Sequence, residues 1–460
     1  MRNSEIKQNK LPERLLCAAG ILFVLYLVCN VVFWFRGTPA AFFKYSITDQ
    51  DTVQIDYCST PFFLLRIPDT IDGKTVTGIG SELFLDPVYD ENGRISDDKI
   101  HYLKNFIIAI HIPDTVDTIG CMAFRSCYGL RYINMPSSLK CTAWGILENT
   151  RVEKLVFPEG ITEIGYNPDE LEYGHEVFAG MDHLKEVVFP DTLKRIGNNA
   201  FADCPKLKKV VLPDGIEEID FAAFSGSGLT EINLPDSLVN LRGNAFWGTP
   251  FEEQLEKQAV NGFVILKDRF LYEYVGEEEY VEIPDGIVYL CDRAFSRRVI
   301  KTVSIPESVK YVNDAFEYCF IEELVIPDTI DPNNSMRFYH SGNLKRVVLP
   351  DHLTTITNSA FYGCIALESI HIPAHITEIG PSAFAKCKAL KEVTLPDGVI
   401  TIGNYAFSGS ALETINIPDS VTAIGEHAFQ NTPFDLTDVN YTANGAPIIG
   451  KKVYSTEGTD

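Results

Sequence analysis

The residues best able to do chemistry in this 460-residue chain are its 11 cysteines, its 9 histidines and a set of regularly spaced aspartates. Cys127, Cys204, Cys319, Cys364 and Cys387 each stand three residues after a phenylalanine, a place that Ser227, Thr249, Ser410 and Thr432 fill elsewhere. A position that accepts Cys, Ser or Thr calls for a small, weakly polar group that caps backbone rather than for a thiolate. Buried, unpaired thiols are therefore expected, and the pair placed to bridge, if any does, is Cys364 with Cys387. No C-x-x-C occurs, which argues against a zinc knuckle or a redox motif. The histidines are scattered, without H-E-x-x-H or a repeated partner.

The aspartates are more orderly. Asp69, Asp114, Asp191, Asp214, Asp236, Asp285, Asp328, Asp351, Asp397 and Asp419 all follow a proline. Stacked carboxylates can bind Ca²⁺ between repeats, but known calcium repeats carry a denser Gly and Asp arrangement, so turn chemistry is the expectation. The acidic insert Asp86–Asp98 lacks the spacing of a calcium loop and reads as a mobile surface loop. Walker, Rossmann and G-x-S-x-G motifs are missing as well. The sequence thus predicts no catalytic residue, no metal site and no cofactor.

What positions these residues is a repeat. Three consecutive stretches show it: LESIHIPAHITEIGPSAFAKCKA from Leu367, LKEVTLPDGVITIGNYAFSGSA from Leu390 and LETINIPDSVTAIGEHAFQNTP from Leu412. The unit is L-x-x-I/V-x-I/L-P-D-x-I/V-x-x-I-G-x-x-A-F-x-x-C/S, and most of its prolines recur at steps of 21–23 residues. The alternating end of L-x-x-V-x-L reads as a short strand, which proline stops because it has no N–H. Pro-Asp makes a turn, and the glycine after the next isoleucine is expected to permit a tight corner. Ala-Phe supplies a small residue where backbones approach and a ring that stacks on the next ring. One unit cannot bury its own apolar side, so stability must come from neighbours stacked at ~4.8 Å. Roughly fourteen or fifteen such rungs would extend about 65 Å.

The ends differ from the repeats. Leu15–Phe35 is a 21-residue apolar run in which Asn30 is the one strongly polar residue. At ~1.5 Å per residue it matches a bilayer core of about 30 Å. Arg2, Lys7, Lys10, Arg14 and Arg36 against Glu5 and Glu13 give the first 36 residues a net +3, although the whole chain carries −24. Basic residues before the span predict a cytoplasmic N-terminus and an external body. The run is longer than the apolar core of a cleaved signal, whose removal is the alternative and would leave a secreted protein. An acidic body repels phosphate backbones, so nucleic acid is not an expected partner. The expected organisation is a basic tail over 1–14, a transmembrane anchor over 15–35 and an N-terminal β cap over 36–67. Repeats then run over 68–248, a diverged linking repeat over 249–283, further repeats over 284–434 and a C-terminal cap or tail over 435–460.

The I-P-x-x-V-x-x-I-G-x-x-A-F-x-x-C pattern resembles the BspA-like bacterial leucine-rich repeats, related to the treponemal type, over roughly residues 42–435. That resemblance implies a β-rich leucine-rich-repeat solenoid, a curved right-handed superhelix of short strands and turns, here preceded by one transmembrane helix. It also implies a surface or secreted protein, since several such proteins are linked to adhesion to host matrix proteins or to other bacteria. The outward strand column runs His111, Asn134, Val156, Val188, Val211, Asn233, Ser304, Val325, Val348, His371, Thr394 and Asn416. Val156, Val188, Val211, Val325, Val348 and His371 are the candidate contacts for a protein ligand from a host or bacterial surface. β-propensity at strand centres explains the same valines without any partner. The function expected is binding outside the cell; the alternative is an envelope scaffold organising membrane partners, and an ectoenzyme has no supporting motif. The oligomeric state is not legible in the residues.

Overall fold

The computed structural model describes residues 13–89, 95–100, 102–142, 145–165, 177–332, 334 and 336–434, with the short strands Asn440–Tyr441, Pro447–Ile448 and Val453–Ser455. The first twelve residues of the basic tail and the insertion Tyr166–Glu176 lie outside the described residues. The chain forms two compact units: residues 1–239 with 246–250, and residues 240–245 with 251–460.

The first unit opens with helix α1 (Glu13–Arg36). Side chains are described from Ile21 onward, and over the described residues no helix is long and apolar enough to cross a membrane. Phe43–Ile47 then pairs antiparallel with Val53–Cys58, and from there the coils stack in parallel. Leu64–Arg66, Ala109–His111 and Tyr132–Ile133 form one parallel sheet, followed by the pair Lys154–Val156 and Glu186–Val188. A second set of short strands runs through Glu163–Ile164, Arg195–Ile196 and Glu218–Ile219. Instead of a loop, the acidic insert holds an antiparallel hairpin of Leu85–Tyr89 with Ile95–Ile100. Val88, Ile95 and Ile100 are β-branched residues suited to a strand, set among charges that read as a loop.

The second unit contains helix α2 (Pro250–Lys257) from Phe251 on, and the antiparallel pair Phe263–Leu266 with Phe270–Tyr274. Its coils then repeat through Tyr280–Glu282, Thr302–Ser304, Glu323–Val325, Arg346–Val348 and Ser369–Ile370, all parallel. Val453–Ser455 lies antiparallel on Thr414–Asn416 and occupies the open edge of that strand.

Inside each unit the repeat landmarks have visible jobs. The rings of Phe178, Phe201 and Phe224 stack at 5.6 and 5.7 Å, and those of Phe361, Phe384 and Phe407 at 5.2 Å each. All six are buried. The alanine before most of these rings (Val177 stands before Phe178) lets backbones approach, so that Phe201 N–H reaches Ala223 O at 2.8 Å and Phe361 N–H reaches Ala383 O at 2.8 Å. The turn after each strand closes on the proline carbonyl, which accepts from the residue three later, as from Val116 to Pro113 at 3.1 Å.

The repeat glycine corrects the sequence reading. Gly165 has the positive φ, 78°, that a tight corner calls for, but Gly197, Gly380, Gly403 and Gly425 are not in the left-handed region. A Cβ on Gly197 would lie 2.2 Å from Gly165 O, and one on Gly380 2.7 Å from Ile356 O. Glycine stands there because the preceding coil's backbone passes against it. The left-handed corner falls two residues later, just before Ala-Phe, at Asn199 (φ 52°), Ser359 (57°), Ser382 (55°), Tyr405 (58°) and His427 (58°).

Candidate protein-binding face

The outward strand positions form a column within each unit. In the first, Val156 stands directly opposite Val188 across the parallel pair, 49% and 39% exposed, and Val211 is 60% exposed. In the second, Val325 stands opposite Val348, 61% and 47% exposed, and His371 is exposed on the next coil, just past Ser369–Ile370. Packing forces this display: the residues between, such as Leu155, Val187, Leu324 and Val347, are buried, and period-two alternation turns the neighbours outward.

Not every member of the column is free for a partner. The Asn134 side chain accepts from Ile112 N–H at 2.8 Å and donates to Ile112 O at 2.7 Å. Asn233 makes the same pair of bonds to Leu212 at 2.6 and 2.9 Å, and Asn416 to Leu395 at 2.7 and 3.0 Å. Where the strand ladder stops, the amide continues it. These asparagines of the outward column are thereby engaged within the solenoid, for a reason that needs the neighbouring coil in view. His111 is half-buried beside the Trp34 ring, and burial together with the Arg66 charge lowers its pKa.

The charged residues that flank the valines in the sequence, among them Lys154, Glu186 and Arg346, are joined in ion pairs between coils. Lys154 meets Glu186 at 2.7 Å and Lys185 meets Glu153 at 2.9 Å. In the second unit Lys345 meets Glu322 at 2.9 Å, Arg346 meets Glu323 at 3.6 Å, and Lys391 meets Glu413 at 3.2 Å. Each joins one coil to the next. Exposed as they are, they add little stability. Their effect is that charges flanking the valines are already neutralised within the face.

The chemistry-bearing residues are otherwise structural. Cys204, Cys364 and Cys387 donate to the carbonyl oxygens of Phe178, Phe338 and Phe361 at 3.2, 3.0 and 3.1 Å. Thr249 and Thr432 cap Phe246 and Phe429 at 2.6 and 2.7 Å from the same repeat position. All three of those cysteines are buried and unpaired. The aspartates after proline work as turn acceptors between coils: Asp114 accepts from Ser137 N–H at 2.8 Å, which holds its carboxyl below the usual range, and Asp328 accepts from Asp351 N–H at 3.0 Å. Among the described residues no group of His, Cys, Asp or Glu could hold a metal ion.

Buried ion pairs depart from this plainness: in the first unit Arg195 meets the buried Asp220 at 2.7 Å. In the second unit the repeat glycine gives way to Arg242 and Cys291, and three carboxylates are buried there. Arg242 lies 3.8 Å from Asp292, Arg293 lies 3.3 Å from Glu317, and Arg337 reaches both Asp314, at 3.1 Å through Nε, and Glu317, at 3.6 Å. Burial, with the Asp314 charge beside it, pushes Glu317 up to about 7, against the pull of Arg337 and Arg293. Burial likewise raises Asp292. The lost glycine was the available signal.

Parallel coils of two- and three-residue strands, a phenylalanine stack and a capping Cys or Thr define a leucine-rich-repeat β-solenoid of about 15 turns. The BspA type Leucine rich repeat region matches in six copies over residues 95–168, 172–258, 268–388 and 312–437, and the chain belongs to that family. A leucine-rich repeat protein from Bacteroides ovatus is 27% identical, over 85% of this chain and 90% of its own, with a TM-score of 0.38. A leucine rich cell surface protein from Faecalibacterium prausnitzii is 21% identical over 80% and 90%, TM-score 0.34. The T. pallidum leucine rich repeat protein is 24% identical over 49% and 96%, TM-score 0.38. Among curated proteins no sequence matches.

Proposed function

We propose that this chain is a cell-surface adhesion protein, held by the Leu15–Phe35 segment with its repeats outside the cell, which binds other proteins through its strand face. The observation that carries the reading is the in-register exposure of Val156 with Val188 and of Val325 with Val348. A partner lying along such a column covers apolar surface, and the lysines beside it are already paired with glutamates, so docking strands no lone charge. The chemistry fits an extended polypeptide with alternate apolar side chains. Membership in a leucine-rich-repeat family supports protein binding, and the apolar run with its basic flank supports the outside placement.

The test displays the full chain on cells and measures capture of host matrix proteins and of neighbouring bacteria. Substituting Val156, Val188 and Val211 with lysine is expected to abolish capture while the circular dichroism and melting temperature stay near those of the parent. Capture that survives the triple substitution sinks the strand-face assignment. Protease added to intact cells is expected to remove the repeats, and repeats that stay protected would refute the placement outside.

A further inference from the structure

The apolar N-terminal helix is built into the solenoid. Asn30, the polar residue of the run, is fully buried. Its Oδ1 accepts from Phe63 N–H at 2.8 Å and from Leu64 N–H at 3.4 Å, and its Nδ2 donates to Tyr26 O at 2.9 Å. Tyr26 donates its hydroxyl to Pro61 O at 2.9 Å. Below these bonds the Phe33 ring packs on Phe62 at 5.0 Å. Past the helix end, Thr38 N–H donates to Arg66 O at 2.8 Å and Thr38 Oγ1 accepts from Arg66 N–H at 3.2 Å. The backbone partners of Asn30 Oδ1 and of Thr38 belong to or adjoin Leu64–Arg66, the edge strand of its parallel sheet. A sheet edge leaves a row of backbone groups unpaired, and a solenoid needs its terminal coil covered. Helix α1 supplies that cover.

The opposite side of the helix is bare. Ile21, Leu22, Leu25, Val28, Val32 and Phe35 are 64, 66, 54, 50, 39 and 77% exposed. No charged residue interrupts Leu15–Phe35, and Arg14 and Arg36 bracket it. A large uncharged face with cations at both ends suits acyl chains bordered by anionic headgroups. The docked stretch from Tyr26 to Trp34 spans about 12 Å of helix rise. If those turns lie in lipid, the coil bonded to them lies at the same depth. Phe63 is half-buried there, and Ile108, whose N–H donates to Phe63 O at 2.7 Å, is 40% exposed.

We propose that α1 is at once the lipid-inserted segment and the cap of the first coil, so that Phe63 and Ile108 contact lipid and the body is seated in the bilayer surface rather than tethered above it. This rests on the membrane placement proposed above. The same contacts argue that the helix is retained, since its removal would strip the partners from Phe63, Leu64 and Arg66.

The experiment uses the full chain in nanodiscs of phosphatidylcholine and phosphatidylglycerol carrying an acyl-chain diazirine. Cross-links are mapped by peptide mass spectrometry, and amide exchange is followed at Phe63 and Leu64. Lipid cross-links are expected on α1 and also on the peptides containing Phe63 and Ile108. Asn30→Leu, which leaves the run apolar, should keep the α1 cross-links, lose those at Phe63 and Ile108, and speed exchange at Phe63 and Leu64 roughly tenfold. Cross-links confined to α1, with exchange unchanged by Asn30→Leu, overturn the proposal and leave the membrane placement standing. A chain with no lipid cross-link anywhere overturns both, and α1 cross-linked to a second copy overturns the lipid assignment of its outer face.

Discussion

The thiol of Cys387 donates to the carbonyl oxygen of Phe361 at 3.1 Å, one coil earlier. Cys364 does the same to Phe338, and Cys204 to Phe178. Each bond satisfies a carbonyl inside the stack that water does not reach. Burial pushes the Cys204 and Cys387 thiols up to about 12, and that of Cys364 well above its ordinary value. These thiols are expected to resist alkylation at pH 8 until the protein unfolds, read by mass spectrometry of labelled peptides. Cys387→Ser keeps a donor and should unfold at nearly the parental urea concentration. Cys387→Val removes one of the two donors to the Phe361 carbonyl, the other being Cys364 N–H at 3.1 Å, and should cost about 0.5–1 kcal/mol. Native-state labelling of Cys387 as fast as in a peptide would show the assignment to be mistaken.

Two neighbouring positions should respond in different ways to side-chain size. A methyl on Gly380 meets Ile356 O at 2.7 Å, where backbone has to move, so Gly380→Ala should destabilise the second unit by about 2 kcal/mol. Ser382 already holds a φ of 55°, a region that costs an L-residue about 1 kcal/mol. Ser382→Gly relieves that strain but frees the unfolded chain by a similar amount, leaving stability nearly unchanged. Thermal unfolding of the two variants checks the order, and a harmless Gly380→Ala would contradict the close approach.

Glu317 makes stability depend on pH in an identifiable direction. Its pKa is raised from 4.5 to about 7 in the folded protein. Between those values the native state holds a proton that the unfolded state has lost, so this group's contribution to stability falls as pH rises from about 4.5 to about 7. Glu317→Gln mimics the protonated form. The variant should lie close to the parent near pH 5 and exceed it near pH 8 by about 2–3 kcal/mol. Denaturant titrations at both values test this; an advantage at pH 5 that vanishes at pH 8 would reverse the sign and refute the account.

The repeat was legible because each landmark is decided locally. Proline ends a strand wherever it stands, and period-two alternation turns Val156 and Val348 outward whatever coil lies beside them. The phenylalanine stack follows from one ring recurring at one place in every unit. Residues whose role depends on the adjacent coil were legible only in part. The shared Cys/Ser/Thr position announced a cap, but Phe361 as its acceptor lies 26 residues away. Gly380 was read for its own backbone freedom, although what requires glycine is the carbonyl of Ile356 passing beside it.

The sequence by itself determined the solenoid, its period, its buried rings and its outward valines, since each follows from side-chain size and backbone preference within one unit. Only the tertiary structure decided which outward residues are free. Asn134, Asn233 and Asn416 are held by backbone groups of the preceding coil, whereas Val156 and Val188 stand opposite each other and remain exposed. It likewise decided that Asn30, polar in an apolar run, closes the edge of Leu64–Arg66. The reason is common to both: an amide side chain declares no partner in sequence, and its hydrogen bonds exist once folding brings an unpaired strand edge to it.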